Sequence, residues 1–565
     1  MFDWIETASQ PIADFINGAL GPFASFLEHY VWGWPPQAPL LVIVLLGTGF
    51  YVTLRLMFIQ VRGFRHAVDI TRGAYDNPED AGDLKHFQAL TTALSATVGI
   101  VNIAGVAIAI RMGGPGALFW MRMTAFFGMA LKFAECTLAL KYRTVNADGS
   151  VSGGPMYYIE KGLGSQWKWM AVAFAAFTAI SSFGGGCMNQ SNTLADQVKS
   201  QFGIPTVVTG LFFAALVAMV IIGGIRRIGR VTAVVAPGMA LIYVGGALLI
   251  LILEFQRIPA GLATILSQAF SPESLFGVGV GSLFLTMLWR IRRGLFSNEA
   301  GQGSAPIAHA TAKTDEPVRE GLVASLGPFV DTLVICTMTG LVIVLTGAYR
   351  DRAPQRFGLD TLQAVAVHAA AETSSQDLDN MKAAGAVEVV DGRMIGGTLL
   401  HLGAMIEDAL LRDQAGQAWH STLNVAADGT VAAADGASLE VTGNALLTGA
   451  PLTARAFHHG LGGFGTLIVT FSVVLFAVST GISWSYYGDR AVEYLFGSAV
   501  IPVYRWIFIG FFFMGSILPL KAVWTYGDVA LGLMSFPNLI AILVLSGGVA
   551  RMTRDYMSRE HQRYK

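Results

Sequence analysis

The chain has 565 residues, is 53% hydrophobic and carries charge on only 13% of its positions, about half the charge fraction of a soluble domain. With 37 basic and 38 acidic side chains the formal net charge is −1, which excludes nucleic-acid binding driven by bulk charge. A mean hydropathy of +0.54 and 65 glycines fit membrane helices that pack closely or break.

The amino terminus, Met1-Phe2-Asp3-Trp4-Ile5-Glu6, lacks a basic n-region and is not expected to be a cleaved signal peptide. Residues 11–34 are apolar but open with Pro11 and are interrupted by Pro22, which predicts helices lying at the interface. A helix needs about 20 mostly apolar residues to cross the hydrocarbon, and about eleven stretches qualify. They lie near 37–58, 90–111, 116–140, 169–193, 205–225, 232–254, 276–297, 321–348, 461–487, 498–519 and 522–548. Cys136, Cys187 and Cys336 all fall in such stretches, so no disulfide framework or cysteine metal site is expected.

Lys and Arg favour cytoplasmic loops. They cluster after the first span (Arg62, Arg65, Arg72, Lys85) and in alternate loops thereafter, ending with Arg551, Arg554, Arg559, Arg563 and Lys565. The amino terminus is therefore expected outside and the carboxyl terminus in the cytoplasm, in a bacterial inner membrane. Residues 350–458 are polar and contain no span. Alternating runs at 385–391 and 437–442, beside helix-like 359–371 and 398–412, predict a small α+β extracytoplasmic insertion. Its histidines, including His368, His401 and His420, lack metal-ligand spacing. The expected divisions are 1–60 (interfacial helices and a first span), 61–349 (core), 350–458 (insertion), 459–548 (core) and 549–565 (basic tail).

Two spans contain sequence that a continuous helix avoids. The second reads Ser95-Ala96-Thr97-Val98-Gly99-Ile100-Val101-Asn102-Ile103-Ala104-Gly105, and the seventh begins Gly277-Val278-Gly279-Val280-Gly281-Ser282. Glycine costs up to about 1 kcal/mol against alanine inside a helix. Backbone groups freed in a bilayer must find protein, water or ion partners, and interruptions at matching places in two halves point to a transport site. Close packing is the competing explanation for such glycines. In the ninth span, Ser479, Thr480 and Ser483 offer hydroxyls to a sodium ion, although a lone hydroxyl more often bonds to its own helix. Ionisable residues at membrane depth are functional candidates: Lys132 and Glu135 are spaced for a structural pair, and Asp331 stands alone. No Gly-x-Ser-x-Gly or His-Glu-x-x-His motif suggests hydrolytic chemistry.

Several segments together resemble the alanine/glycine:cation symporter family. They are Thr92 to Ala107; Gly113-Gly114-Pro115-Gly116 running to Met121; Ala125 to Ala130 with Lys132 to Cys136; Gly153-Gly154-Pro155-Met156-Tyr157-Tyr158; Arg293 to Gly301; Gly303 to Ala310; and Trp484-Ser485-Tyr486-Tyr487-Gly488. The resemblance implies an all-α polytopic fold of inverted five-helix repeats, as in amino acid–polyamine–organocation transporters, with one extra amino-terminal helix. It also implies sodium-coupled uptake of alanine or glycine, with membrane lipid as surroundings, no cofactor besides the coupling ion, and no enzymatic activity. By this resemblance the substrate is held by Thr97, Gly99, Val101, Phe183, Gly184, Gln190, Trp289 and Arg290. Sodium is held by Val98, Asn102, Ser479 and Thr480. Three positions depart from the family pattern: Val101 and Arg290 stand where glycine is usual, and Arg122 where an aromatic is. These departures motivate two alternatives: an acidic substrate paired with Arg290, or a non-transporting membrane sensor that uses the insertion.

Overall fold

The computed structural model describes residues 26–35, 39–77, 79–146, 150–270, 297–366, 385–401, 404–426, 429–518 and 520–564. The predicted seventh span, with Trp289 and Arg290, lies outside them, as do residues 11–25 of the predicted interfacial segment.

The protein is a multi-pass helical membrane protein. Among the described residues, seven helical stretches are long and apolar enough to cross a bilayer: Ala117–Lys141, Ser165–Phe202, Gly224–Leu253, Pro317–Thr346, Gly449–Phe496, Ser498–Gly515 and Gly527–Ser558. Shorter apolar helices at Leu40–Arg55, Ala104–Gly113 and Thr206–Ile221 fall at three further predicted spans. Exposed Leu211, Phe212, Val234, Leu241 and Ile252 are acceptable only against lipid, where an outward apolar side chain costs nothing.

The second span is interrupted. One arm runs His86–Thr97 and the other Ala104–Gly113, joined through extended Gly99 and a 3-10 turn over Ile100–Asn102. Two other spans contain π turns, at Gly184–Met188 and Phe329–Cys336. Such turns often sit where a function interrupts regular helix. At the base of the interrupted helix, buried Glu320 receives Nδ1 of His86 and, at 2.5 Å, Nδ1 of His309. Lys132 Nζ lies 3.6 Å from Glu135 Oε1 inside the core. Asn538 Nδ2 donates to Glu135 Oε2 at 3.0 Å and to the Gly301 carbonyl at 2.8 Å, so this pair ties helices together. Arg122 is exposed. The three cysteines are free and buried.

In the insertion the expected helix at 398–412 is corrected to strands; of the helix-like run 359–371, Leu359–Thr361 form a 3-10 turn and Gln363–Ala366 a strand, while residues 367–371 lie outside the described residues. Arg352–Gly358 and Glu440–Leu446 pair antiparallel at its neck, and Glu407–Arg412 adds to the latter. Gln363–Ala366 pairs with Gly397–His401, which pairs with Ala404–Met405. A four-stranded sheet runs 431–433, 421–425, 385–390 and 393–394. The leucines and alanines of 398–412 suggest a helix by propensity. Cross-strand burial of Leu399, Leu411, Leu423 and Val441, each fully inaccessible, overrides that preference. The alternating run at 385–391 coincides with the strand Gly385–Val390, and the second half of 437–442 with the start of Glu440–Leu446.

The chain returns to the core sooner than the sequence suggests, because a helix begins at Gly449. It turns at Gly462, whose φ of 62° and ψ of −147° suit glycine alone. The arm before this turn is latched to the neck of the insertion. Asp351 Oδ2 accepts from His459 Nε2 at 2.6 Å and Arg455 Nε at 2.9 Å. Burial pushes the Asp351 carboxyl up, but those hydrogen bonds outweigh it and hold it below the ordinary carboxylate value. A carboxyl with a depressed folded-state pKa contributes stability above its unfolded pKa and loses it as pH falls through the folded value. Acidification below about pH 4 should therefore lower the melting temperature of the wild type more than that of Asp351→Asn. Equal acid sensitivity in a thermal-shift series would show that the latch contributes nothing.

Candidate functional site

Breaking a helix inside a bilayer exposes carbonyls that need donors. Here hydroxyls from neighbouring helices supply them. Thr480 Oγ1 donates to the Ser95 carbonyl at 3.0 Å, and Ser95 Oγ donates to the Ser479 carbonyl at 3.1 Å. Thr339 Oγ1 reaches the Asn102 carbonyl at 3.0 Å, and Thr453 Oγ1 the Ile103 carbonyl at 2.9 Å. Asn102 closes the unwound turn on itself, its Oδ1 accepting the Gly99 N–H at 2.9 Å.

The other end of Asn102 reaches a buried acid. Asn102 Nδ2 donates to Asp331 Oδ1 at 2.6 Å, while Ser297 Oγ and Thr332 Oγ1 donate to Asp331 Oδ2 at 2.9 and 2.6 Å. Asp331 sits on the Phe329–Cys336 π turn and is wholly buried. One carboxylate and two hydroxyls thus converge beside the unwound segment. The Cys336 thiol stands in the same cluster, its Sγ 3.1 Å from Ser297 Oγ and 3.3 Å from Asn102 Nδ2; the oxygens are of the kind a sodium ion takes.

An enclosed cavity of about 30 Å³ lies on the other side of the break, room for a water or two. Thr97, Gly99, Val101 and Gly105 of the second span line it, with Gly185, Asn189 and Gln190 opposite; Glu299, Thr480, Trp484, Asp528 and Leu531 complete the wall. Its polar lining is rich in acceptors. Asn189 Oδ1 and Gln190 Oε1 are buried without hydrogen-bond partners among the described residues. Gln190 Nε2 is anchored to the Gly185 carbonyl at 3.0 Å. Glu299 adopts φ 51°, a left-handed conformation that costs on the order of 1 kcal/mol outside glycine. Its Oε2 accepts from Ser304 Oγ at 2.5 Å. The first N–H groups of the Ala104–Gly113 arm have no intrahelical acceptor, and Gly105 in that first turn faces the cavity. One pole of the cavity therefore suits a cation and the other an anion.

The structure brings together only part of the predicted set. Thr97, Gly99, Val101, Gln190 and Thr480 line the cavity. Thr97 Oγ1 bonds back to the Ala93 carbonyl at 3.3 Å. Val101 narrows the space: a Cβ on Gly105 would stand 2.7 Å from its Cγ1. Phe183 instead stacks among Tyr504, Phe508 and Phe511, with ring centroids 4.7–6.2 Å apart, and Gly184 does not line the cavity. Val98 is buried beside the break, and Asn102 faces Asp331. Ser479 Oγ contacts Met239 Sδ at 3.2 Å and its own helix at Phe476. Sequence reasoning missed Asn189, Glu299, Asp528 and Leu531 as wall residues. The Ser297-Asn298-Glu299 stretch within one of the resembling segments was the available signal for Glu299.

A profile of the sodium:alanine symporter family matches residues 20–376 and 409–565. The sodium/alanine symporter AgcS of Methanococcus maripaludis is 39% identical, covering 94% of this chain and 96% of its own. An uncharacterized transporter of Haemophilus influenzae is 36% identical over 95% of this chain and 96% of its own. The amino-acid carrier protein AlsT of Bacillus subtilis is 30% identical over 95% and 92%. The gap between the two matched stretches, residues 377–408, falls within the polar segment 350–458.

Proposed function

Because the chain belongs to the sodium:alanine symporter family, we propose that it imports alanine or glycine together with sodium across a bacterial inner membrane. The carrying observation is the interrupted second span, with an acceptor-rich cavity on one side and the Asp331 cluster on the other. The amino group is taken by Glu299, Gln190 and Asn189, with Asp528 adding negative charge. The carboxylate is taken by main-chain N–H groups at Val101 and at the start of the Ala104–Gly113 arm, where a helix amino terminus favours an anion; the Asn102 and Ile103 N–H groups are used within the turn. Sodium is held by Asp331, Ser297 and Thr332, with Asn102 linking ion to substrate. Ser479, Thr480 and the main chain at Val98 form a second, neutral ion position. In this reading the ten-helix core consists of two inverted five-helix repeats with Trp289 and Arg290 in the second broken helix, and the amino terminus faces outward.

An acidic substrate is disfavoured, since Glu299 and Asp528 would repel it. Radiolabelled alanine uptake into proteoliposomes tests the proposal: an imposed inward sodium gradient should drive accumulation, and potassium replacement should remove it. Uptake that ignores sodium, or no uptake of any small neutral amino acid, would overturn it. Val101 sets the size limit. Val101→Gly is expected to raise uptake of larger neutral amino acids relative to alanine by about tenfold, the scale of one methylene clash. An unchanged uptake ratio would place the size filter elsewhere.

A further inference from the structure

A second cleft, far more open than the transport cavity, lies where the β insertion meets the last turn of the interrupted helix. It encloses about 370 Å³, a volume in the range of small-molecule sites. Three arginines line it: Arg111 from the end of the Ala104–Gly113 arm, and Arg350 and Arg352 from the neck of the insertion. Gln268, Tyr349 and Leu446 form much of the remaining wall, and no carboxylate does so among the described residues.

These cations are not equally satisfied. Arg352 pairs with Glu407 at 3.2 Å and donates to the Met405 carbonyl at 2.8 Å. The Arg350 guanidinium lies 5.1 Å from the centre of the neighbouring Tyr349 ring and has no acidic partner among the described residues. Arg111 is partly buried and makes no hydrogen bond or ion pair among the described residues, while the charge of Arg352 opposes its own. The field extends into the insertion: burial first, and then the charge of Arg111, lower the pKa of His401. Attraction to the helix carboxyl end is worth only about 0.3–1 kcal/mol, which explains one arginine there but not three.

We propose that this cleft binds a small oxyanion, a polycarboxylate or a phosphate, held between Arg111 on the broken helix and Arg350 and Arg352 on the insertion. Guanidinium forks match carboxylate and phosphate oxygens in pairs, and like charges gathered in a concave site concentrate anions. The bound anion ties the insertion to the outer arm of the helix whose break forms the transport cavity.

The test uses the full chain in phosphatidylcholine nanodiscs, titrated with citrate and with inorganic phosphate at constant ionic strength. One of them should bind saturably and raise the melting temperature, where sodium chloride at the same ionic strength does not. Arg111→Gln and the exposed Arg350→Gln should each weaken that binding at least tenfold, the second serving if the first misfolds. Competition from nanodiscs containing phosphatidylglycerol would support the site and identify a lipid headgroup phosphate as its occupant. A shift no larger than that of chloride, or affinity unchanged in both variants, would overturn the proposal.

Discussion

Asp331→Asn is expected to abolish sodium-driven uptake while leaving the protein folded. Asparagine keeps the size of the carboxylate: its Oδ1 can still accept from Asn102 Nδ2, while its Nδ2 takes the place of the oxygen that faces Ser297 and Thr332 and donates to their hydroxyls, which can accept as well as donate. What it lacks is charge. Removing the charge that faces a desolvated cation costs on the order of 3 kcal/mol, about a hundredfold in sodium affinity. Alanine-dependent uptake should then fall to background at ordinary sodium concentrations and recover in part at molar sodium. Uptake with wild-type sodium dependence would remove Asp331 from the ion site. Asp331→Ala is a poorer test, since it leaves three buried donors without an acceptor, at about 1–3 kcal/mol each.

Gly99→Ala should have a comparable effect on the substrate side. A Cβ at Gly99 would stand 2.7 Å from Thr480 Oγ1 and 3.4 Å from Gln190 Oε1. Neither neighbour yields easily: Thr480 is held by the Ser95 carbonyl and Gln190 by the Gly185 carbonyl. Overpacking of this kind costs about 1–3 kcal/mol, and the added methyl occupies a cavity of only about 30 Å³. The expected result is a rise of at least tenfold in the alanine KM, in a protein that is still expressed and folded. The glycine itself has an ordinary extended backbone, φ −130°, so the effect is one of space and not of strain. An unchanged KM would mean that the substrate does not approach the break.

The break was legible as one of two readings of the glycines and Asn102 at Val98–Gly105, close packing being the other, and the unwound turn over Ile100–Asn102 decides between them. Thr480 was legible as a hydroxyl in an otherwise apolar run. The meeting of the cavity's two acids was not: Glu299 stands in a resembling segment, but Glu299 and Asp528 sit 229 positions apart and their convergence is purely tertiary. Phe183 and Gly184 illustrate a different failure. The π turn at Gly184–Met188 inserts an extra residue into the helical period. It places Gly185, Asn189 and Gln190 on the cavity face and turns Phe183 toward Tyr504 and Phe511. The insertion misled by composition: its leucines and alanines are helix formers that sheet pairing overrides.

An ion site and a substrate site on the two sides of one helix break require that the two solutes move together. The direct measurement is ²²Na⁺ entry into proteoliposomes clamped at zero potential, with and without external alanine. Alanine should stimulate sodium entry in wild type and should not in Asp331→Asn. Alanine entering with no accompanying sodium flux would contradict the account.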